Sequence, residues 1–275
     1  MSVELAGFTT LALRREVDVL HVTLNRPAVR NAMSLAMVRE LRVVLSQAEM
    51  RGEIRVIVLR GAGGHFCAGA DLSDMAAARM RLQDDPNALV ETNAAFGELC
   101  VAYADTGIVT VAVVEGTCMG GGFGLACVAD VTLASDTASF RLPETSLGLV
   151  PAQIGPFLVQ RLGYAEARRL AVTGGRLNAQ EALALQLVHG VHGVHGVHGG
   201  EALDAALAQV LSDILQCAPG AVAATKALMA KARFQSPASL VQEAAEVFSA
   251  AALGPEGIEG TTAFLQKRKA KWALP

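Results

Sequence analysis

The sequence predicts an α/β core followed by a helical C-terminal part, and three observations carry that prediction. Over the first 150 residues, runs of Val, Ile and Leu alternate with stretches of helical periodicity. Two glycine-rich loops follow the two strongest of those runs. Beyond about Pro151 the chain turns Ala-rich, with helical patterns and almost no strand signal. Continuous apolar runs separated by helices imply a buried, largely parallel sheet of βα units.

In chain order, residues 17–24 alternate as a half-buried strand does. Ser34 is an N-cap candidate for a helix over 35–49, where Leu35, Val38, Leu41 and Leu45 recur at helical spacing. A strand at 55–61, a long helical pattern near 87–104 and an apolar run at 110–115 complete the core. Helical patterns then cover 164–173, 179–187, 201–217, 219–233, 239–252 and 256–270. We place the boundary between the core, 1–200, and the C-terminal helical region, 201–275, at the end of a repetitive tract. That tract, 188–199, is VHG four times over, with His189, His192, His195 and His198 spaced by three. A His-rich tract can hold zinc or nickel. Glycine at every third position favours instead an expanded, exposed loop without a preorganised site.

Composition narrows the function classes. Of 275 residues, 52% are hydrophobic and 18% charged, against about a quarter charged in ordinary soluble chains. The surplus points to a large core and a buried subunit interface. A net charge of −3 argues against nucleic acid or an anionic membrane as partner. Mean hydropathy is +0.38, yet the longest stretches free of Asp, Glu, Lys and Arg are Ala182–Gly200, broken by His and Gly, and Thr145–Gln160, broken by Pro151 and Pro156. Neither supplies the roughly 20 apolar residues of a spanning helix. No secretory signal is visible in MSVELAGFTT, so the expected location is the cytoplasm. The five cysteines show no CxxC spacing and read as reduced core thiols, with Cys67 set apart by its glycine-rich loop.

The loops themselves are Gly61–Leu72 (GAGGHFCAGADL) and Glu115–Leu125 (EGTCMGGGFGL). Neither is a phosphate loop ending in GK[ST], and neither fits a dinucleotide fingerprint. Simple tight turns would account for the glycines of each loop alone. Together, two loops between strand and helix can turn two backbone N–H groups towards one oxygen that becomes negative, an oxyanion hole.

With NRPAVRNA at 25–32, HFCAGADL, GGGFGLACVAD, LPETSLGLVP and FLQKRKAKW in order along residues 8–272, the chain resembles the crotonase superfamily (enoyl-CoA hydratase/isomerase). The resemblance implies a spiral of ββα units with a C-terminal helical trimerisation region, acyl-CoA substrates, homotrimers or hexamers, and no metal or separate cofactor. It assigns the oxyanion-hole N–H groups to Ala70 and Gly121. It lays coenzyme A along Ala68, Asp71, Leu72 and Ser73 and near Ala28 and Arg30, with Phe264 and Lys267 touching a bound CoA. Asp71 is otherwise expected to orient the oxyanion loop, and Lys267 to sit on a solvated basic turn. Family hydratases carry two catalytic glutamates; this chain has the second, Glu144, but Gly124 at the first position. Three readings follow: hydration by Glu144 alone, double-bond isomerisation by Glu144, or CoA-ester binding with chemistry lapsed. The runs GGGFGLAC and LPETSLGLVPAQIGPFLVQRLG look closest to bacterial hydratases of branched glutaconyl-CoA esters (3-methylglutaconyl- and isohexenylglutaconyl-CoA). Hydration is therefore the reading we carry forward, with Gly124 expected to leave room for a β-branched substrate.

Overall fold

The computed structural model describes residues 7–193 and 201–273. The chain opens with an antiparallel pair, β1 (Leu11–Glu16) and β2 (Val19–Leu24), followed by α1 (Leu35–Arg51). Ser34 caps α1 as expected, its Oγ accepting from Met37 N–H at 3.2 Å. Next come β3 (Val56–Gly61), α2 (Leu72–Arg81), α3 (Ala88–Asp105), β4 (Val109–Val114), β5 (Thr117–Met119), α4 (Gly121–Val128), β6 (Val131–Ser135) and β7 (Ser139–Arg141). The remainder is α5 (Gly155–Thr173), β8 (Arg176–Asn178), α6 (Ala179–Ala184), β9 (Gly190–His192), α7 (Glu201–Leu215), α8 (Pro219–Ala232), α9 (Pro237–Leu253) and α10 (Pro255–Leu265).

Two sheets result. The large one runs β1-β2-β3-β4-β6-β9, parallel from β2 onward, and the small one runs β5-β7-β8. Three times in succession a long strand of the first sheet leads into a short segment of the second layer and then a helix. β3 leads through Cys67 to α2, β4 through β5 to α4, and β6 through β7 to α5. Isolated parallel bridging of Cys67 with Cys118 adds the loop after β3 to the second layer. This is a spiral of ββα turns.

Every residue of β4 is buried, because both faces of the large sheet are covered. Val109, Val111 and Val113 point to the side where Leu203, Leu207 and Leu215 of α7 pack. Ala112 and Val114 point into the main core with α1, α3 and α4. Helix α8 is pinned to the same body by Lys226, whose Nζ donates to Ile108 O at 2.7 Å and pairs with Asp130 at 2.6 Å. Further out, α8 to α10 leave Phe234, Phe248, Leu253, Phe264 and Leu265 exposed. Among the described residues, no single helix is long and apolar enough to cross a membrane.

Two expectations need correction. Strands do occur after Pro151: β8 and β9 are three residues each, too short for a periodicity to show. The repetitive tract is also not simply an exposed loop. Val188 is buried, His189 N–H donates to Thr132 O at 2.8 Å, and Gly190–His192 form the edge strand β9 on β6. The rest of the tract, His195 and His198 included, lies outside the described residues.

The tandem repeat makes β9 replaceable by its own copies. Deleting Val191–Gly196 leaves VHGVHGGEALD, so that Gly190, Val197 and His198 offer β6 the same three side-chain types. We expect that deletion to change stability by no more than about 1 kcal/mol in chemical denaturation, as for a change away from special features. A larger loss would mean that the register of the tract, and not its composition, holds the sheet edge.

Candidate active site

The second layer carries the site. Cys67 N–H donates to Thr117 O at 3.0 Å and Met119 N–H to Cys67 O at 2.9 Å, while Phe66 N–H donates to Glu115 O at 2.9 Å. His65 Nδ1 closes the same seam by accepting Thr117 N–H at 3.1 Å. The two glycine-rich loops are thus zipped side by side, and β7 is paired to β5 with Cys118 opposite Phe140. Continuing from this level, the three strands exit at Ala70, Gly121 and Glu144. All three residues line one cavity of about 360 Å³.

The N–H of Ala70 is free for a reason that differs from the expected one. Ala70 precedes helix α2 and is not at its N-terminus, since Asp71 is the N-cap. It bridges Met33 in parallel: Met33 N–H donates to Gly69 O at 2.7 Å and Asp71 N–H to Met33 O at 3.0 Å. In that pattern the flanking residues make the bonds, so Ala70 turns its own N–H to the opposite side. Gly121 is the first residue of α4, where a helix N–H has no intrahelical acceptor. Among the described residues, neither N–H is bonded to a carbonyl. Gly120, at φ +46°, completes the approach; a Cβ there would lie 2.7 Å from Glu144 Oε1, so only glycine fits.

Glu144 starts a short 3₁₀ turn, Glu144–Leu147, after Pro143. Its Oε2 is buried with no hydrogen-bond partner, and burial pushes its carboxyl above the usual glutamate range. The other cavity acids are occupied. Asp71 pairs with Arg26 at 2.7 Å and accepts Ser73 N–H at 3.0 Å; although burial opposes ionisation, these bonds hold its carboxyl below the usual range. Asp74 Oδ2 accepts Leu35 N–H at 2.6 Å, at the start of α1. Glu144 alone of the three is left without a described side-chain partner.

Gly124 does not leave an open space. A Cβ there would lie 2.3 Å from Cγ2 of Ile154, which is buried and itself lines the cavity. The expectation of added room at that point is therefore corrected: Ile154 fills it. Ala28, Arg30, Leu72 and Ser73 are exposed and Ala68 is half-buried, all outside the cavity wall. Their two loops are joined by Ala68 N–H donating to Arg30 O at 2.9 Å. Phe264 is exposed at the end of α10, with Lys267 just beyond it; neither lines the cavity. Cys67 is buried and its thiol is pushed up to about 11 by burial, which makes it an inert core thiol.

Sequence reading missed several contributors. Asn31 is fully buried; its Oδ1 accepts Arg26 N–H at 2.9 Å and its Nδ2 donates to Ala62 O at 2.9 Å and His65 O at 2.7 Å. The asparagine of RNA in NRPAVRNA could have been singled out as a loop-bracing residue. Phe96 stands over Gly121, and Gln153 donates to Asn93 Oδ1 at 2.8 Å across the cavity wall. These come from α3 and from the loop before α5, and no local pattern marks them.

Comparison with known proteins agrees with this fold. The family model described as enoyl-CoA hydratase/isomerase matches residues 14–274. The chain is 34% identical over 260 residues to the 2,3-dehydroadipyl-CoA hydratase of Escherichia coli, covering 94% of this chain and 96% of that one. It is 30% identical to the peroxisomal Δ(3,5)-Δ(2,4)-dienoyl-CoA isomerase of Arabidopsis thaliana, covering 95% of each. Among solved structures it is similar to Pseudomonas aeruginosa AtuE, with a TM-score of 0.91 at 48% identity over 97% of this chain and all of that one. An enoyl-CoA hydratase/isomerase from Marinobacter aquaeolei gives a TM-score of 0.89 at 49% identity, covering 96% and 99% of the two chains.

Two predictions follow from the packing. Gly124→Ala should lose about 1–3 kcal/mol by overpacking against Ile154, and adding Ile154→Ala should recover most of it; denaturation of the single and double variants reads this. Glu144→Gln should raise the melting temperature more at pH 7 than at pH 4. A carboxyl with a raised folded pKa stabilises when protonated, and that contribution is lost as pH rises through the folded value. Equal shifts at both pH values would show that Glu144 is not desolvated.

Proposed function

The chain belongs to the enoyl-CoA hydratase/isomerase family, with its α/β crotonase-like fold and C-terminal helical region, and from that premise we propose that it hydrates an enoyl-CoA through Glu144 alone. The observation that carries the proposal is the meeting of Glu144, with a buried, unpartnered Oε2, and the unbonded N–H groups of Ala70 and Gly121 on one cavity. Glu144 takes a proton from water as the water oxygen bonds to Cβ. The π pair moves onto the thioester, whose enolate oxygen accepts from Ala70 and Gly121 N–H. The enolate then collapses and Cα takes a proton from the same carboxyl, restoring the carboxylate. Donors of this kind are worth about 3–4 kcal/mol each to the transition state. The raised affinity of Glu144 for a proton suits a group that must both accept and return one.

We assign a β-branched glutaconyl-CoA as substrate, on the sequence runs that look closest to such hydratases. Coenzyme A, as part of that substrate, would run out past Ala68, Asp71, Leu72 and Ser73 towards Ala28 and Arg30, with Phe264 and Lys267 meeting it from a neighbouring copy. A homotrimer or a hexamer would cover the exposed Phe234, Phe248, Leu253 and Leu265. Isomerisation is the second reading. It is favoured by the single glutamate and by the relative whose name is that of an isomerase.

The two readings give opposite signals. With 3-methylglutaconyl-CoA in H₂¹⁸O, hydration removes the conjugated enoyl absorbance and places ¹⁸O at Cβ. Glu144→Gln should bind the ester yet lose at least about 10²-fold in turnover. Conversion of a 3-enoyl-CoA with rising absorbance and no ¹⁸O uptake would establish the isomerase instead.

A further inference from the structure

Among the described residues the cavity is lined by one cationic side chain, and the hydration chemistry does not use it. Arg79 lies in the last turn of α2 and lines the same cavity as Glu144, among Met75, Leu89 and Val150. Its side chain is exposed, and among the described residues no carboxylate or carbonyl pairs with it. The two aspartates of the same cavity wall are spoken for. Asp71 is held by Arg26 and Ser73, and Asp74 by the start of α1. A guanidinium on a largely apolar wall, with Asp71 and Asp74 bonded elsewhere, is available to a carboxylate of the ligand, which it can meet bidentately.

We propose that Arg79 is a specificity residue that pairs with a carboxylate at the far end of the acyl chain, so that the site selects CoA esters of dicarboxylic acids. The inference rests on the acyl-CoA reading of this cavity and deepens it. Two features shape it. The wall around Arg79 is otherwise mostly apolar, so a dicarboxylic acyl chain gains one charge-assisted contact there while its methylenes stay packed. The satisfied state of Asp71 and Asp74 lowers the repulsion that an acidic tail would otherwise meet. The name of one relative, 2,3-dehydroadipyl-CoA hydratase, is that of an enzyme acting on an ester with such a second carboxylate.

The test uses two saturated ligands that no hydratase or isomerase turns over: 3-methylglutaryl-CoA, and isovaleryl-CoA, which lacks the terminal carboxylate. Calorimetry on the full-length wild type should show 3-methylglutaryl-CoA binding at least about tenfold more tightly, in keeping with a charge-assisted hydrogen bond. Arg79→Met should abolish that preference and leave isovaleryl-CoA binding unchanged, while Arg79→Lys should keep part of it. Three results would overturn the proposal. They are no preference in the wild type, a preference that survives in Arg79→Met, and equal weakening of both ligands, which would place the cation on the CoA phosphates. Because neither ligand reacts, these outcomes stand apart from whether Glu144 performs the hydration.

Discussion

The structure depends on the register of three short strands in the second layer. Cys67 is opposite Cys118, and Cys118 is opposite Phe140. Ala70, Gly121 and Glu144 each follow by three or four residues, so one seam of backbone hydrogen bonds sets all three at the same height. A slip of one residue would turn every side chain in a strand to the opposite face. It would also exchange the N–H of Ala70 for a neighbour already bonded to Met33. The buried thiols Cys67 and Cys118 are part of this constraint: they are small, apolar and inert where the turns of the spiral stack. Asn31 and His65 lock the same seam from outside, one through carbonyls of the loop after β3 and the other through Thr117.

Charge is distributed over the cavity by the same logic. A polar group taken out of water is costly unless it is bonded, so buried acids normally carry partners. Asp71 and Asp74 obey this and use their oxygens to hold helix starts and the Arg26 loop in place. Glu144 departs from it with an orphaned Oε2. Asp71 is held ionised by its bonds, while Glu144 is left in a setting that favours the neutral form. That contrast separates frame from chemistry more sharply than position in a motif does.

Much of this was legible in the sequence. The strands β2, β3 and β4 and the helices α1, α3, α8 and α9 follow from runs and periods long enough to read. Glu144, Gly121 and Ala70 are the positions that the resemblance to the enoyl-CoA hydratase/isomerase family singles out, and they line one cavity. What was not legible is non-local. Strands β5, β7, β8 and β9 are three residues each and exist because a neighbour offers a ladder, not because their own residues demand it. Helix α2 is Ala- and Arg-rich with a single buried residue, so no apolar stripe announces it. Arg79, Phe96 and Gln153 enter the site from α2, α3 and the loop before α5, and only the packing of α2 on α3 and of α3 and α5 on α4 brings them together.

The absence of a second glutamate is best understood through Ile154. A Cβ at position 124 would lie within the van der Waals radius of Ile154, so glycine at one position and a β-branched aliphatic at the other are a matched pair. A longer side chain there would start against a buried apolar side chain and a phenyl ring, Phe96. The cavity on that side is thus finished in hydrocarbon. Its polar side chains are Glu144, the Asn93–Gln153 pair, Thr92, the bonded Asp71 and Asp74, and Arg79. In the hydration proposed for this site, such a wall would hold no water, and the reacting water would reach Cβ from the side of Glu144. On that proposal a lone carboxylate would serve both ends of the double bond without a second acid to hold the water, because the shape of the cavity would restrict where that water can be.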